Sequence, residues 1–189
     1  MRPQKLSREQ ILNRCALQFK THGYAATSMG MLAKACGLTK ASFYYYYASK
    51  EALLMDVLEL TQQYLNTHLF KLGEYKTLCV VEHFEQIHAR AVQFFSYGVK
   101  GCLVGILSIE ALYQSGDILE KIRSIFKDWE MAFYQFFKVQ LSDHEAKILA
   151  KQSVADYEGA ILMYRLNDDV FYLDQVKLRI LKQLHMQPS

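Results

Sequence analysis

Proline is nearly missing: two occur in 189 residues, at positions 3 and 188, so nothing between them takes a backbone N–H out of a helix. No uncharged apolar run approaches the roughly 18 residues that a bilayer-crossing helix needs, which excludes a membrane span. The opening MRPQKLSREQ has no apolar core of a secretory leader, and a cytoplasmic location is expected. Cys15, Cys36, Cys79 and Cys102 include no CxxC pair and fall mostly on apolar faces. That pattern fits reduced, buried thiols rather than a disulfide framework or a zinc site. His83 and His88 stand five apart, a spacing that splays them around a helix, so neither a metal nor a cofactor is expected. A nucleophile elbow, a phosphate loop and a metal-spaced ligand set are missing too, and an enzyme is not expected. Glu110, alone in an apolar segment, reads as a satisfied polar contact rather than a catalytic acid.

What is present is helix-forming and 51% hydrophobic, enough to bury a sizeable core. Charge is divided unevenly. Residues 1–50 hold eight Lys and Arg against one Glu, a net of +7, while residues 51–189 hold fourteen basic and eighteen acidic side chains, a net of −4. A modest total of +3 therefore conceals a basic N-terminal module, the electrostatic footprint of a phosphate-binding surface. Arg2, Lys5 and Arg8 read either as an arm that reaches along a nucleic-acid backbone or as a solvated tail.

Residues 27–50, TSMGMLAKACGLTKASFYYYYASK, read as two short helices joined by a tight turn and followed by the capped start of a third, a DNA-reading helix-turn-helix. Met29, Leu32, Ala33 and Cys36 make one side of the first helix apolar and leave Lys34 outside. Gly37 suits a left-handed C-terminal cap, with Leu38 stapling the turn, and Thr39 suits the next N-cap. In the second helix Phe43 and Tyr47 face inward, while Lys40, Ala41, Ser42, Tyr44 and Tyr45 stay available to a partner. Ser49 caps the third helix. Lys50 sits in its first turn, where the macrodipole disfavours a cation unless an anion is near, so it reads as a clamp on phosphate. Tyr44, Tyr45 and Tyr46 add phenolic donors for phosphates or sugars. Packing of the small domain is the competing reading for each tyrosine singly, but one helical turn cannot face all of them inward.

From the amphipathic first helix through GYAATS, LAKACGLTK, the Tyr44–Tyr46 segment and SKEAL, the N-terminal fifty residues resemble the TetR family of bacterial one-component transcriptional regulators. Carried over by position, the resemblance implies phosphate contacts from Thr27, Tyr44, Tyr46 and Lys50, and base-edge or groove contacts from Thr39, Lys40, Ala41, Ser42 and Tyr45. The chain departs from the family at three places. Ala41 stands where glycine is frequent, adding a methyl that can touch a thymine methyl. Gly30 replaces a polar residue within a helix, at about 1 kcal/mol of propensity. Tyr47 replaces a phenylalanine, so its hydroxyl must find a partner or solvent.

The rest is legible as further helices. Ser7 and Gln10 make a capping box for a first helix with an Ile11, Leu12, Cys15, Ala16, Phe19 stripe, ended by Gly23. A helix from Glu51 to about Leu72 turns Leu54, Val57, Leu58, Tyr64 and Leu65 inward and is broken by Gly73. Another runs from about Thr77 to Tyr97, with Gly98 and Gly101 in a turn. GCLVGILSIEAL, residues 101–112, looks like a segment of one TetR subgroup, with Ile106 where asparagine is common. A long helix from about Asp117 to Leu141 carries an aromatic stripe. Phe84, Phe94, Phe126, Trp129 and Phe133 are the residues expected around an apolar effector cavity. The last helices, about Asp143 to Tyr164 and Asp169 to His185, alternate small and large apolar residues, and the resemblance implies that they pair with their counterparts in a homodimer.

The expected fold class is therefore all-α with about nine helices: a three-helix helix-turn-helix DNA-binding domain over residues 1–50 and a helical effector-binding and dimerisation domain over residues 51–189. The expected function is a TetR-like homodimeric repressor that binds double-stranded operator DNA and is released when an unidentified small-molecule effector shifts the helix after Glu51. A helical adaptor that binds another protein without operator specificity is the alternative, and it leaves the basic N-terminal module unexplained. Salt dependence separates the two, because binding through several phosphates weakens steeply as salt rises.

Overall fold

The computed structural model describes residues 6–72, 79–111 and 116–185, and among these it contains helices and no strand. The helices are α1 (Arg8–His22), α2 (Met29–Ala35), α3 (Lys40–Tyr46), α4 (Lys50–His68), α5 (Val80–Ser96), α6 (Leu103–Ala111), α7 (Gly116–Phe137), α8 (Asp143–Asn167) and α9 (Phe171–His185). None of the described helices is long and apolar enough to cross a membrane. The chain forms two compact units, each drawn from two stretches: Met1–Gln63 with Leu103–Arg123, and Tyr64–Cys102 with Ser124–Ser189.

In the first unit the helix ends follow their local chemistry. Ser7 Oγ accepts the Gln10 N–H and Gln10 Oε1 accepts the Ser7 N–H, closing the expected capping box on α1. Gly37 is left-handed at φ 67°. Its N–H donates to the Lys34 carbonyl at 3.0 Å and the Leu38 N–H to Ala33 at 2.9 Å, a Schellman closure of α2. Thr39 caps α3 through Ser42 N–H at 3.1 Å, and Ser49 caps α4 through Ala52 N–H at 3.1 Å. Ile11, Leu12, Phe19, Leu32, Phe43 and Leu58 are buried together as the core of this unit. α6 packs against α1.

In the second unit α8 and α9 lie side by side, with α5 against α9. Ser142 and Glu145 form a capping box at the start of α8. Some boundaries differ from the sequence reading. α4 ends at His68 rather than near Leu72, because the Leu69 and Phe70 N–H groups both turn back onto the Leu65 carbonyl at 2.8 Å. α7 stops at Phe137 rather than Leu141 for the same reason: the Gln140 and Leu141 N–H groups share the Phe137 carbonyl. α8 continues past Tyr164 to Asn167 and is closed by Asp168 at φ 56°. α5 begins at Val80 on a capping box between Cys79 and Glu82. Thr77 and the breaker Gly73 fall outside the described residues. Tyr64, expected inward, is exposed, because it lies on the outer ring of Phe94 at 5.1 Å.

Candidate nucleic-acid interface

α3 is short enough that one buried anchor sets its rotation. Phe43 is fully buried, and Tyr47, one turn on, is nearly so. The Tyr47 hydroxyl finds the partner that burial demands: it donates to Asp56 Oδ2 at 3.0 Å, and the same oxygen accepts Arg8 Nη2 at 2.7 Å. Burial, with the bond to Asp56, pushes the Tyr47 phenol up to about 12, and the carboxylate raises Arg8 further above its ordinary value. Arg8, read from the sequence as part of an arm, is thus in the first turn of α1 and tied to α4. Arg2 and Lys5 lie outside the described residues.

With Phe43 turned in, Lys40, Ala41, Ser42, Tyr44, Tyr45 and Tyr46 are all exposed on α3. Tyr45 stands out furthest at 90% exposure. Its ring meets Tyr46 edge-on at 5.9 Å, and the Lys40 ammonium lies 6.0 Å from the Tyr44 ring. Thr39 is exposed, but its hydroxyl is shared with the Ser42 hydroxyl at 2.8 Å. The face presents a cation, phenols and hydroxyls, the donor set that phosphates and base edges accept.

Two residues expected at phosphate are directed inward. Thr27 is completely buried, and its hydroxyl donates to the Gly23 carbonyl at 2.6 Å. Lys50 Nζ donates to the Tyr24 carbonyl at 2.7 Å and to the Thr27 carbonyl at 2.8 Å, and lies 4.1 Å from the centre of the Tyr24 ring. Burial lowers its pKa, against the opposing pull of Glu110. The physical reason for both placements is the turn between α1 and α2: its carbonyls point toward the start of α4 and collect the nearest cation.

The other side of that turn is held by Glu110, which the sequence reads as a satisfied polar contact without naming its partner. Glu110, on α6, accepts the Tyr24 N–H through Oε1 at 3.1 Å and the Ala25 N–H through Oε2 at 2.6 Å. Gly23 makes this approach possible. Its φ of 77° with ψ 178° is a glycine-only conformation, and a Cβ there would overlap Glu110 Oε1. A carboxylate and an ammonium thus grip the N–H and C=O groups of a single turn next to α2. The signal in the sequence was a lone acid in an apolar stretch, but nothing there names its partner.

In the second unit, Phe84, Trp129 and Phe133 line a cavity of about 20 Å³. Phe94 and Phe126, expected there, do not line it: both are half-buried, Phe94 under Tyr64 and Phe126 stacked on Trp129. Two polar side chains that the sequence reading did not place there, His88 and Tyr157, also line it. His88 is 4% exposed, and its Nδ1 lies 2.8 Å from the Tyr157 hydroxyl. Burial, with Lys177 nearby, pushes the imidazole down to about 4 against the pull of Asp174, and burial raises the Tyr157 phenol well above its ordinary value.

Similarity to known proteins covers both units. The family described as "Bacterial regulatory proteins, tetR family" matches residues 11–57, and that described as "Transcriptional regulator LmrA/YxaF-like, C-terminal domain" matches residues 80–178. Transcriptional regulator AcuR of Cereibacter sphaeroides is 27% identical over 167 residues, covering 83% of this chain and 76% of that one. HTH-type transcriptional repressor DhaR of Mycobacterium sp. is 24% identical over 174 residues, covering 89% and 87%. A TetR transcriptional regulator from Legionella pneumophila superposes with a TM-score of 0.86 at 21% identity, over 95% of this chain and 98% of that one. Reduced E. coli NemR does so with a TM-score of 0.77 at 20% identity, over 92% and 94%. The chain belongs to the TetR family of transcriptional regulators and carries that family's fold, an N-terminal helix-turn-helix DNA-binding domain with a helical C-terminal domain.

Proposed function

We propose that this regulator is a homodimeric repressor that binds a palindromic operator through α3 and releases it when a small molecule enters the second unit. The observation that carries the reading is the outward face of α3, where Lys40, Ala41, Ser42, Tyr44, Tyr45 and Tyr46 surround the buried Phe43 anchor. Tyr44 and Tyr46 then contact phosphates, and Lys40, Ala41, Ser42 and Tyr45 face the groove. Thr39 caps the reading helix, while Thr27 and Lys50 hold the turn behind it. The repressor sense is supported by the similarity to DhaR, described as a repressor. The competing adaptor reading gives no use for a basic N-terminal module.

The test is electrophoretic mobility shift with the promoter DNA beside the protein's own gene and unrelated DNA as competitor. Tyr44→Ala and Lys40→Ala should each weaken specific binding about tenfold, the scale of one good contact, while circular dichroism stays unchanged. Unchanged affinity in both variants sinks the assignment of α3. Binding that is insensitive to salt favours the adaptor.

The dimer surface is proposed on α8 and α9, where Ile148, Leu162, Leu166, Phe171 and Leu178 are exposed, Leu166 at 69%. An apolar stripe of this kind is normally covered by a partner, and a two-fold pair sets the reading helices about 34 Å apart, one turn of DNA. Leu162→Glu with Leu166→Glu should give a monomer in light scattering and abolish operator binding. A dimer that persists in that variant moves the interface elsewhere.

A further inference from the structure

We infer that the cavity of the second unit selects a neutral, ring-bearing molecule that donates one hydrogen bond, a monohydric phenol being the simplest of the class, with the Tyr157 oxygen as acceptor. The inference rests on the effector reading above and gives it a chemical class.

The polarity of the site comes first. Among the described residues that line the cavity, His88 and Tyr157 supply the side-chain acceptors, Trp129 adds one indole N–H, and the others are hydrocarbon. Asp174 and Lys177, which face His88 from α9, are within 3.5 Å of each other and offset one another. An ionised guest would therefore be buried without a counter-charge, at a cost that excludes it.

Proton positions then decide what the guest must offer. His88 Nε2 lies 3.8 Å from Asp174 Oδ1 and makes no hydrogen bond. A neutral imidazole carries one proton, and the carboxylate favours it on Nε2. Nδ1 is then an acceptor, and the Tyr157 O–H donates to it across 2.8 Å. That donation uses the phenol's single proton and leaves oxygen lone pairs free. A guest that only accepts finds the hydroxyl proton already taken; a guest that donates finds a pre-oriented acceptor.

The need for a ring follows from how the cavity can grow. At about 20 Å³ it has room for one water, whereas a benzene-sized guest needs roughly 150 Å³. Phe70, just past the end of α4, lines both this cavity and an outer groove of about 460 Å³ that also touches Asn66, Asp128 and Gln135. It stacks on Trp129 with centroids 5.8 Å apart and planes 17° from parallel. Displacing that ring joins groove and cavity and bares the face of Trp129, which a planar guest restores by stacking in its place.

The experiment uses the full chain and three matched probes: 4-ethylphenol, 4-ethylanisole and 4-ethylbenzoate. Binding is read by calorimetry and by the fluorescence of Trp129, the chain's single tryptophan. 4-Ethylphenol should bind saturably and about tenfold tighter than the other two, the scale of one buried hydrogen bond. Tyr157→Phe should erase the preference over 4-ethylanisole; if that variant does not fold, the probe series on the unmodified chain still decides. Equal or tighter binding of the anisole or the benzoate, or saturable binding by none, overturns the inference. Operator release is measured separately. A phenol that binds in this way without releasing DNA upholds the inference and counts against the effector reading.

Discussion

Glu110→Ala should lower the melting temperature by about 5 to 10 °C and weaken operator binding at least tenfold. The carboxylate accepts two backbone N–H groups, those of Tyr24 and Ala25. Hydrogen bonds to charged groups contribute about 1.5–3 kcal/mol each. Partial solvent access at this turn reduces the pair to a total of roughly 2–3 kcal/mol, and each kcal/mol shifts a chain of this length by about 2–4 °C. DNA affinity falls with stability because the turn that loosens leads directly into α2. Glu110→Gln should be nearly as damaging, since its NH₂ group faces one of the two donors. Gly23→Ala should mimic it from the other side, combining a strained φ of 77° with overlap against Glu110. Glu120, exposed and paired among the described residues with Arg123 three residues on, is the control, and Glu120→Ala should change neither property. A Glu110→Ala protein that melts and binds like its parent refutes the clamp. Melting is followed by circular dichroism and binding by mobility shift.

Acidification should destabilise the protein through His88, by about 2 kcal/mol between pH 7 and pH 5. The buried imidazole titrates at about 4, below its ordinary value of 6.5. The unfolded chain therefore takes up the proton first. Stability from the neutral imidazole is complete above pH 6.5 and declines as pH falls toward 4, to a total of roughly 2–3 kcal/mol. The remaining histidines and carboxylates add their own dependence, so the measurement is a difference. Urea unfolding at pH 7 and pH 5, in parent and His88→Gln, should show a shallower loss in the variant. An equal loss in both means that His88 takes up its proton in the folded state as readily as in the unfolded one. That would also move the proton on which the acceptor role of Tyr157 depends.

Much of the first unit was readable in advance because its information is local. Ser7 with Gln10, Gly23, Gly37 and Thr39 each act within four residues of themselves, and each occupies the cap expected of it. The inward pair Phe43 and Tyr47 follows from helical spacing alone. Helix ends were less legible at α4 and α7, where two N–H groups converge on one carbonyl, a competition that leaves no mark in residue type. The cavity was half legible. Periodicity separates apolar faces from polar ones, so Phe84, Trp129 and Phe133 were found, but it does not rank residues within a face, so Phe94 and Phe126 were drawn in with them.

By itself, then, the sequence determined an all-α regulator of the TetR family, the order of its helices and the rotation of α3, because caps and amphipathic periods are written in neighbouring residues. Only the tertiary structure decided what the buried polar groups do. Lys50 and Glu110 grip one turn from α4 and α6, sixty residues apart, and His88 meets Tyr157 from α5 and α8, sixty-nine residues apart. Such pairs depend on which helices pack together, and burial then obliges each polar atom to bond whatever the packing brings within reach.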